Sequence, residues 1–381
     1  MSRKADLKER DERFTRIRTE MCKYGMIALL IAGHASHNNR GYIRYVSDTH
    51  LWSGDSLILL PLEKPPVQVQ VTYASASRPD QVWISDYREA PFPHIEIITA
   101  MKEKGITRGT VGIAGLNHIL TVEAYKCLKA SLPNVEFVNS DLMMNRIRAI
   151  KSALEIDQNK DLWKISVLAM ETFVDIAQPG ISQREAAAEA GTIIKAGGSV
   201  DDLILIRDGV FKGLPRDEPL ACNSVVELHL ETCGESGHWS ELNVSCLFRE
   251  PTDREQKLLE RELTVFEELR ELAKPGVTLS SLTNSFHDRI KKDGWILGAP
   301  AWHYYFHGQG MDAIEWPYYS PMPEGNEDAV LESGMVFSYH PHRSPAPALE
   351  LTPRIFDDIL ITENGAQRMN DQWDLRWRIK T

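Results

Sequence analysis

The stretch VVELHLETCGESGHWSEL, residues 225–242, restricts the fold of this chain more than any other segment. Side chains two apart in a strand share a face. Val226, Leu228 and Leu230 therefore form one apolar row, and Val225, Glu227, His229 and Glu231 form the opposite one. The turn TCGESG returns the chain and sets Glu241 across from Glu231, which demands an antiparallel hairpin with one side against a core. For Glu227 the reading adopted is a solvated sheet face. Glu231 and Glu241 read instead as one wall of a site, because two close carboxylates repel each other unless a proton or a cation lies between them.

Around this hairpin the C-terminal half pairs helices with hairpins, an α+β arrangement. GISQREAAAEAGTIIKAGG offers Ser182 as an N-cap with Glu185 as its capping-box partner. LILIRDG is a strand, and DREQKLLERELTVFEELRELAKPG is a long helix stopped by Pro275 and Gly276. Three late strands follow, in HYYFHGQ, GMVFSYHPH and RIFDDILIT. The first half reads differently. An amphipathic helix carrying Phe14, Ile17 and Met21 precedes the apolar run MIALLIAG and the strand-like GYIRYVS, DSLILLPL, VQVQVTYA and QVWISDY. Helical IEIITAMKEKG and TVEAYKCLKASL then alternate with the run ITRGTVGIAG and the strand VEFVNS, as in a three-layer domain. Between the halves, SDLMMNRIRAIKSALEIDQNKDLWKISVLAMETFVDI reads as two helices broken around Lys151 and Ser152, so the domains are expected at residues 1–145 and 146–381.

A chain of 381 residues suits two cores. With 54 acids against 43 bases the net charge is −11, which argues against a nucleic-acid partner. The charged start MSRKADLKERDERF offers no signal peptide, and no run approaches the roughly 18 apolar residues of a membrane span. Five scattered cysteines without a C-x-x-C pair speak against a disulfide scaffold or a thiolate zinc site. The expectation is a cytoplasmic protein bound neither to membrane nor to nucleic acid.

The remaining polar groups gather late in the chain. His303 and His307 lie in the aromatic run AWHYYFHGQGMDAIEWPYY, where His307 opens the glycine-flanked turn HGQG. Tyr304, Tyr305, Trp316, Tyr318 and Tyr319 could line a pocket for an apolar or cationic ligand, or could equally be core aromatics. FSYHPHR carries His340 and His342 at a strand end marked by Pro341. In PRIFDDILI, Asp357 and Asp358 fall on opposite faces of a buried run, and an acid on either face needs a partner. Trp373 and Trp377, four apart near the end, could dock on a surface or a partner subunit. Glu231, Glu241, His307 and His340 together could hold one divalent ion by nitrogen and oxygen ligation, provided that the fold brings them together.

Five segments in order carry a resemblance to a known family: ERDERFTRIRTEMCKYGMIALLI, IRAIKSALEIDQNKDLWKISVLAM, HGQGMDAIEWPYY, LESGMVFSYHPH and RIFDDILITENGAQRM. The chain resembles the creatinase, prolidase and methionine aminopeptidase superfamily along nearly its whole length. That resemblance implies a pita-bread C-terminal domain preceded by a smaller three-layer α/β domain of the creatinase type, in a homodimer. Metal-dependent members hold two ions with two aspartates, a histidine and two glutamates. Here the first aspartate falls in the span from His229 to Glu231, with Glu231 preferred, Glu241 stands at the second and His307 at the histidine. His340 stands at the first glutamate and Phe356, followed by Asp357, at the bridging one. Ile314 replaces a substrate-binding histidine, while Glu315 and Pro317 remain.

A phenylalanine at the bridging position should cripple a two-ion clamp. Two versions follow: one divalent ion on Glu231, Glu241, His307 and His340, or no cofactor, with His307 or His340 moving the proton and the glutamates binding a cationic substrate part or orienting water. His303, Tyr305, Glu315 and Trp316 are the substrate-side candidates, joined by His342, Arg343 and Arg354. The creatinase histidine that precedes the hairpin is missing; the loop has Lys212 near that place. The expected function is a creatinase-like hydrolase cleaving an amide or amidine-like C–N bond in a small nitrogenous non-peptide substrate. The alternatives are a metal-dependent lyase on a small charged compound, an Xaa-Pro dipeptidase-like enzyme, and a binding module without catalysis.

Overall fold

The computed structural model describes residues 6–75, 83–209, 211–292, 295–297, 306–318, 328–339, 343–345 and 354–381. The chain divides into two compact units, Met1–Arg148 and Ala149–Thr381.

In the first unit, α1 (Leu7–Lys23) starts where the Asp6 side chain accepts the Glu9 N–H, and it buries Phe14, Ile17 and Met21, the row its 3.6-residue period aligns. It leads into β1 (Met26–His34), then α2 (Gly41–Ser47), β2 (Asp55–Pro61), β3 (Val67–Gln70) and β4 (Asp86–Glu89). Next come α3 (Pro93–Glu103), β5 (Gly109–Ala114), α4 (Val122–Ser131), β6 (Val135–Asn139) and α5 (Asp141–Ala149). The six-stranded sheet has the order β4-β3-β2-β1-β5-β6, with β1 antiparallel to β2 and parallel to β5. A strand between two others and covered on its faces must be apolar throughout, as MIALLI is. GYIRYVS corrects the strand reading: it is the helix α2, buried along its length, with Arg44 paired to Asp48 one turn on at 3.3 Å. Seven apolar-rich residues carry too few periods to separate helix from strand.

The second unit opens with α6 (Ala153–Ile176), whose capping box joins Ser152 and Glu155, and α7 (Gln183–Ala196), capped likewise by Ser182 and Glu185. A sheet of order β18-β10-β9-β7-β8 is built from β7 (Asp201–Asp208), β8 (Phe211–Gly213), β9 (Val225–Cys233), β10 (Trp239–Leu247) and β18 (Arg378–Ile379). Helices α8 (Asp253–Leu272) and α9 (Leu279–Lys292) precede the short strands β11 (Trp295–Leu297) and β15 (Arg343–Pro345), which pair with each other. A third sheet has the order β13-β12-β14-β16-β17. It contains β12 (Phe306–Gly308), β13 (Glu315–Tyr318), β14 (Val336–Tyr339), β16 (Asp357–Thr362) and β17 (Gly365–Arg368).

Val226, Leu228 and Leu230 of β9 join Leu242, Val244 and Cys246 of β10 in a core shared with Trp163, Met170 and Phe173 of α6. That packing spends the apolar row of the hairpin and turns its other row inward to the polar site. Trp373 and Trp377 also lie in this unit's own cores, 4% and 7% exposed, so neither is the docking surface expected of them. The cation of Arg378 stacks 4.7 Å from the Trp373 ring centroid. Among the described residues no helix is long and apolar enough to cross a membrane.

The cap of α8 yields a stability prediction. Thr252 accepts the Glu255 N–H, and Glu255 returns the bond to the Thr252 N–H. Thr252→Ala should cost about 1 kcal/mol in denaturant unfolding. Arg249, 2.6 Å away, and then the Thr252 backbone hold the Glu255 carboxyl down to about 2. Its folded value lies below its unfolded one, so the Glu255 contribution is complete above about pH 4.5 and fades as pH falls toward 2.

Candidate functional site

The hairpin register places Glu241 directly opposite Glu231 and Asn243 opposite His229. Both residues between which the sequence left the first ligand position open therefore point to one place. The Nε2 atom of His229 lies 3.2 Å from Oε1 of Glu231 and 3.1 Å from Oε1 of Glu241. His307 comes from β12 and approaches the other oxygen of Glu241, with Nε2 at 3.4 Å from Oε2. Its Nδ1–H donates to the Gly308 carbonyl at 3.1 Å, which turns Nε2 toward the glutamate. The Ser338 hydroxyl, from β14, donates to the same Oε2 at 2.9 Å.

Behind Glu241 stands Asp358. Its Oδ2 accepts the indole N–H of Trp163 at 2.9 Å and the backbone N–H of Glu241 at 3.2 Å, so α6, β10 and β16 meet at this carboxyl. Burial, then the neighbouring Glu241 charge, pushes Asp358 well above the ordinary aspartate range. Asp357, on the other face, is paired with Arg368, and burial raises it to about 6. Each acid of this strand has the partner that its face requires.

Burial and Lys212 oppose charge on His229, but hydrogen bonds to Glu231 and Glu241 outweigh them and lift its pKa. His307 follows the same pattern: burial opposes its charged form, and Glu241 overcomes that. The ammonium of Lys212, in β8, touches Nδ1 of His229 and lies 4.7 Å from the centroid of the Phe356 ring. Burial pushes Lys212 down to about 8.

Glu227 corrects the solvated-face reading. It is fully buried and bonded to Arg207 at 2.6 Å. Burial alone would raise its carboxyl, but Arg207, Lys212 and Arg354 hold it below the ordinary value. Phe356 is also fully buried, its ring 4.7 Å from that of His229 at 67°, and its N–H donates to Oδ1 of Asn243 at 3.0 Å. Asn243 Nδ2 in turn donates to the Arg354 carbonyl at 2.8 Å.

Glu315 faces Lys151 at 3.1 Å and accepts the Met311 and Asp312 N–H groups, so it braces the turn after His307. Gly308 allows that turn: a Cβ there would come within 2.8 Å of the Trp316 carbonyl oxygen. Trp316 packs at the edge of the core around Phe306 and Tyr339. Arg343 lies in β15. His303, Tyr305, His340 and His342 lie outside the described residues, as do Tyr304 and Tyr319. Ser338, Asp358 and the lysine contact were not expected. Strand period alone puts Ser338 on the face of residue 340, while Lys212 gave no signal beyond its loop.

His229, Glu231 and Glu241 each offer a ligand atom, and these atoms lie within 4.8 Å of one another. An imidazole and two carboxylates suit a single divalent ion such as zinc or manganese. A second ion does not fit so well, since Phe356 brings no donor atom to it.

The model for Metallopeptidase family M24 matches residues 157–363, more than half of the chain, and that for the Creatinase/Prolidase N-terminal domain matches 13–150. The chain belongs to the M24 metallopeptidase family. Its C-terminal domain has the pita-bread-like fold, preceded by the smaller α/β domain. It is 29% identical to the Xaa-Pro dipeptidase of Pyrococcus furiosus over 268 residues, covering 68% of this chain and 73% of that protein. With the Xaa-Pro dipeptidase of Pyrococcus horikoshii the identity is 27%, over 61% of this chain and 66% of the relative.

Among solved structures, the prolidase from Pyrococcus horikoshii OT3 superposes with a TM-score of 0.75 at 24% identity, covering 96% of this chain and 100% of that one. The X-Pro aminopeptidase from Thermotoga maritima gives 0.78 at 17%, covering 96% and 99%. At these identities the two structures speak for the fold alone. The two curated relatives are Xaa-Pro dipeptidases, which corrects the specifically creatinase-like expectation. The expected C–N hydrolase on a non-peptide substrate is overturned by the same relatives, which are named as peptidases.

Proposed function

We propose that this protein is a metal-dependent peptidase of the Xaa-Pro dipeptidase type, hydrolysing the peptide bond before proline. The observation that carries it is the convergence of His229, Glu231 and Glu241 from two paired strands, within a domain of the M24 family. One divalent ion on those three residues would polarise the peptide carbonyl or lower the pKa of a water molecule.

The chain's own groups have separate tasks. Glu241 orients both imidazoles, and Ser338 fixes its outer oxygen. His307, anchored on the Gly308 carbonyl, holds or moves a proton at Nε2. Arg354, its carbonyl fixed by Asn243, is the cation assigned to the dipeptide carboxylate.

The test is hydrolysis of a panel of Xaa-Pro dipeptides by protein purified without chelator. Cleavage should be lost on chelation and restored by manganese, cobalt or zinc ions. Full activity after exhaustive chelation, or cleavage of none of these peptides with any ion, would sink the proposal.

A further inference from the structure

Lys212 enters the site from the edge of its sheet, where β8 pairs with β7 and its register partner is Arg207. Its Nζ meets Nδ1 of His229, while the face of Phe356 lies beneath the cation and the phenyl and imidazole rings meet at 67°. The other ring nitrogen, Nε2, faces Glu231 and Glu241 at 3.2 and 3.1 Å, on the edge that an ion would need, so the lysine and an ion approach one imidazole from its two nitrogens.

The two-ion set implied by the family resemblance places a bridging glutamate where this chain has Phe356. A phenyl ring provides no ligand, its face attracts an organic cation, and a positive charge at that place repels a second divalent ion. We propose that Lys212 is a resident cation of the acidic cluster, which limits the site to one divalent ion and competes with that ion for His229. It is a positioning residue that acts through the imidazole and its charge. The inference rests on the one-ion reading above and assigns the residue that enforces it.

The test is equilibrium binding of manganese ion to the full chain at fixed neutral pH, without substrate, by calorimetry and by metal content after dialysis. Wild type should bind one ion per chain. Lys212→Met should still bind one, but about tenfold or more tightly, since a nearby like charge has gone. Lys212→Arg, which keeps the charge, should stay within about threefold of wild type. The double variant Lys212→Met/Phe356→Glu should bind two ions, and Phe356→Glu alone one.

Circular dichroism melts verify folding, and Lys212→Gln replaces the methionine variant if that one does not fold. Two ions in the wild type, unchanged or weaker binding without the lysine, or an arginine variant as tight as the methionine one would each overturn the inference. Because no peptide is present, an inactive peptidase that shows the tenfold shift leaves the lysine role standing. An active peptidase without the shift removes only the lysine role.

Discussion

Arg207→Met is expected to destabilise the protein by about 3–5 kcal/mol, the usual cost of stranding one partner of a buried ion pair. Glu227 is fully buried, Arg207 is 4% exposed, and the two face each other across β7 and β9 at 2.6 Å. Oε1 of Glu227 has no hydrogen-bond partner among the described residues, so the carboxylate depends on its cationic neighbours. In the wild type its folded pKa lies below the ordinary 4.5, and its contribution is complete above that value and lost as pH falls through the folded one. Without Arg207 the sign reverses, because burial raises the carboxyl and ionisation above about pH 4.5 then costs stability. The deficit should therefore shrink between about pH 7 and about pH 4 in denaturant titrations. Arg207→Met/Glu227→Leu should recover most of the loss, since neither charge remains. A single variant within ~0.5 kcal/mol of wild type would mean that Glu227 reaches water.

Glu227 also shows where reading the sequence stops. The meeting of Glu231, Glu241 and His229 was legible because it depends on strand period and one short turn, both local. The burial of Glu227 depends on Arg207, twenty residues earlier in a strand whose pairing no local pattern specifies. The same holds for the apolar row, which pointed to a core without naming α6 as its partner, and for Asp358, whose need of a donor was plain while Trp163 was not. GYIRYVS failed for another reason: a short apolar run is compatible with either period, and burial of all seven residues let the helix win. Trp373 and Trp377 read as a docking pair from their spacing of four, yet β18 pairs in parallel with β10 and both rings join cores of this unit. Lys212 is the furthest from sequence reach, since a long flexible side chain announces neither its direction nor its contact.

Glu241→Gln is expected to remove the bound ion and to lower Xaa-Pro hydrolysis by more than about 100-fold, the upper range for groups that merely support a ligand. The substitution keeps the shape of the side chain and its bond from Ser338, so loss of fold is not the expected cause. Among the described residues Glu241 alone joins the two imidazoles, with one oxygen toward His229 and the other toward His307. Its charge helps to hold both above the ordinary histidine value against burial.

In chelated protein this predicts a second signature. A raised histidine pKa contributes stability fully below the unfolded value of about 6.5, and the contribution is lost as pH rises through the folded value. The stability gap between wild type and Glu241→Gln should thus be widest below about pH 6.5 and narrow in alkali. A Glu231→Gln variant loses the contact to His229 and only a lesser charge effect on His307, so its gap should be smaller and the His307 titration should move less by NMR than in Glu241→Gln. If the two glutamine variants lost ion, activity and histidine shifts equally, Glu241 would not be the hub that links the hairpin to β12, and the site would have to be rebuilt around Glu231.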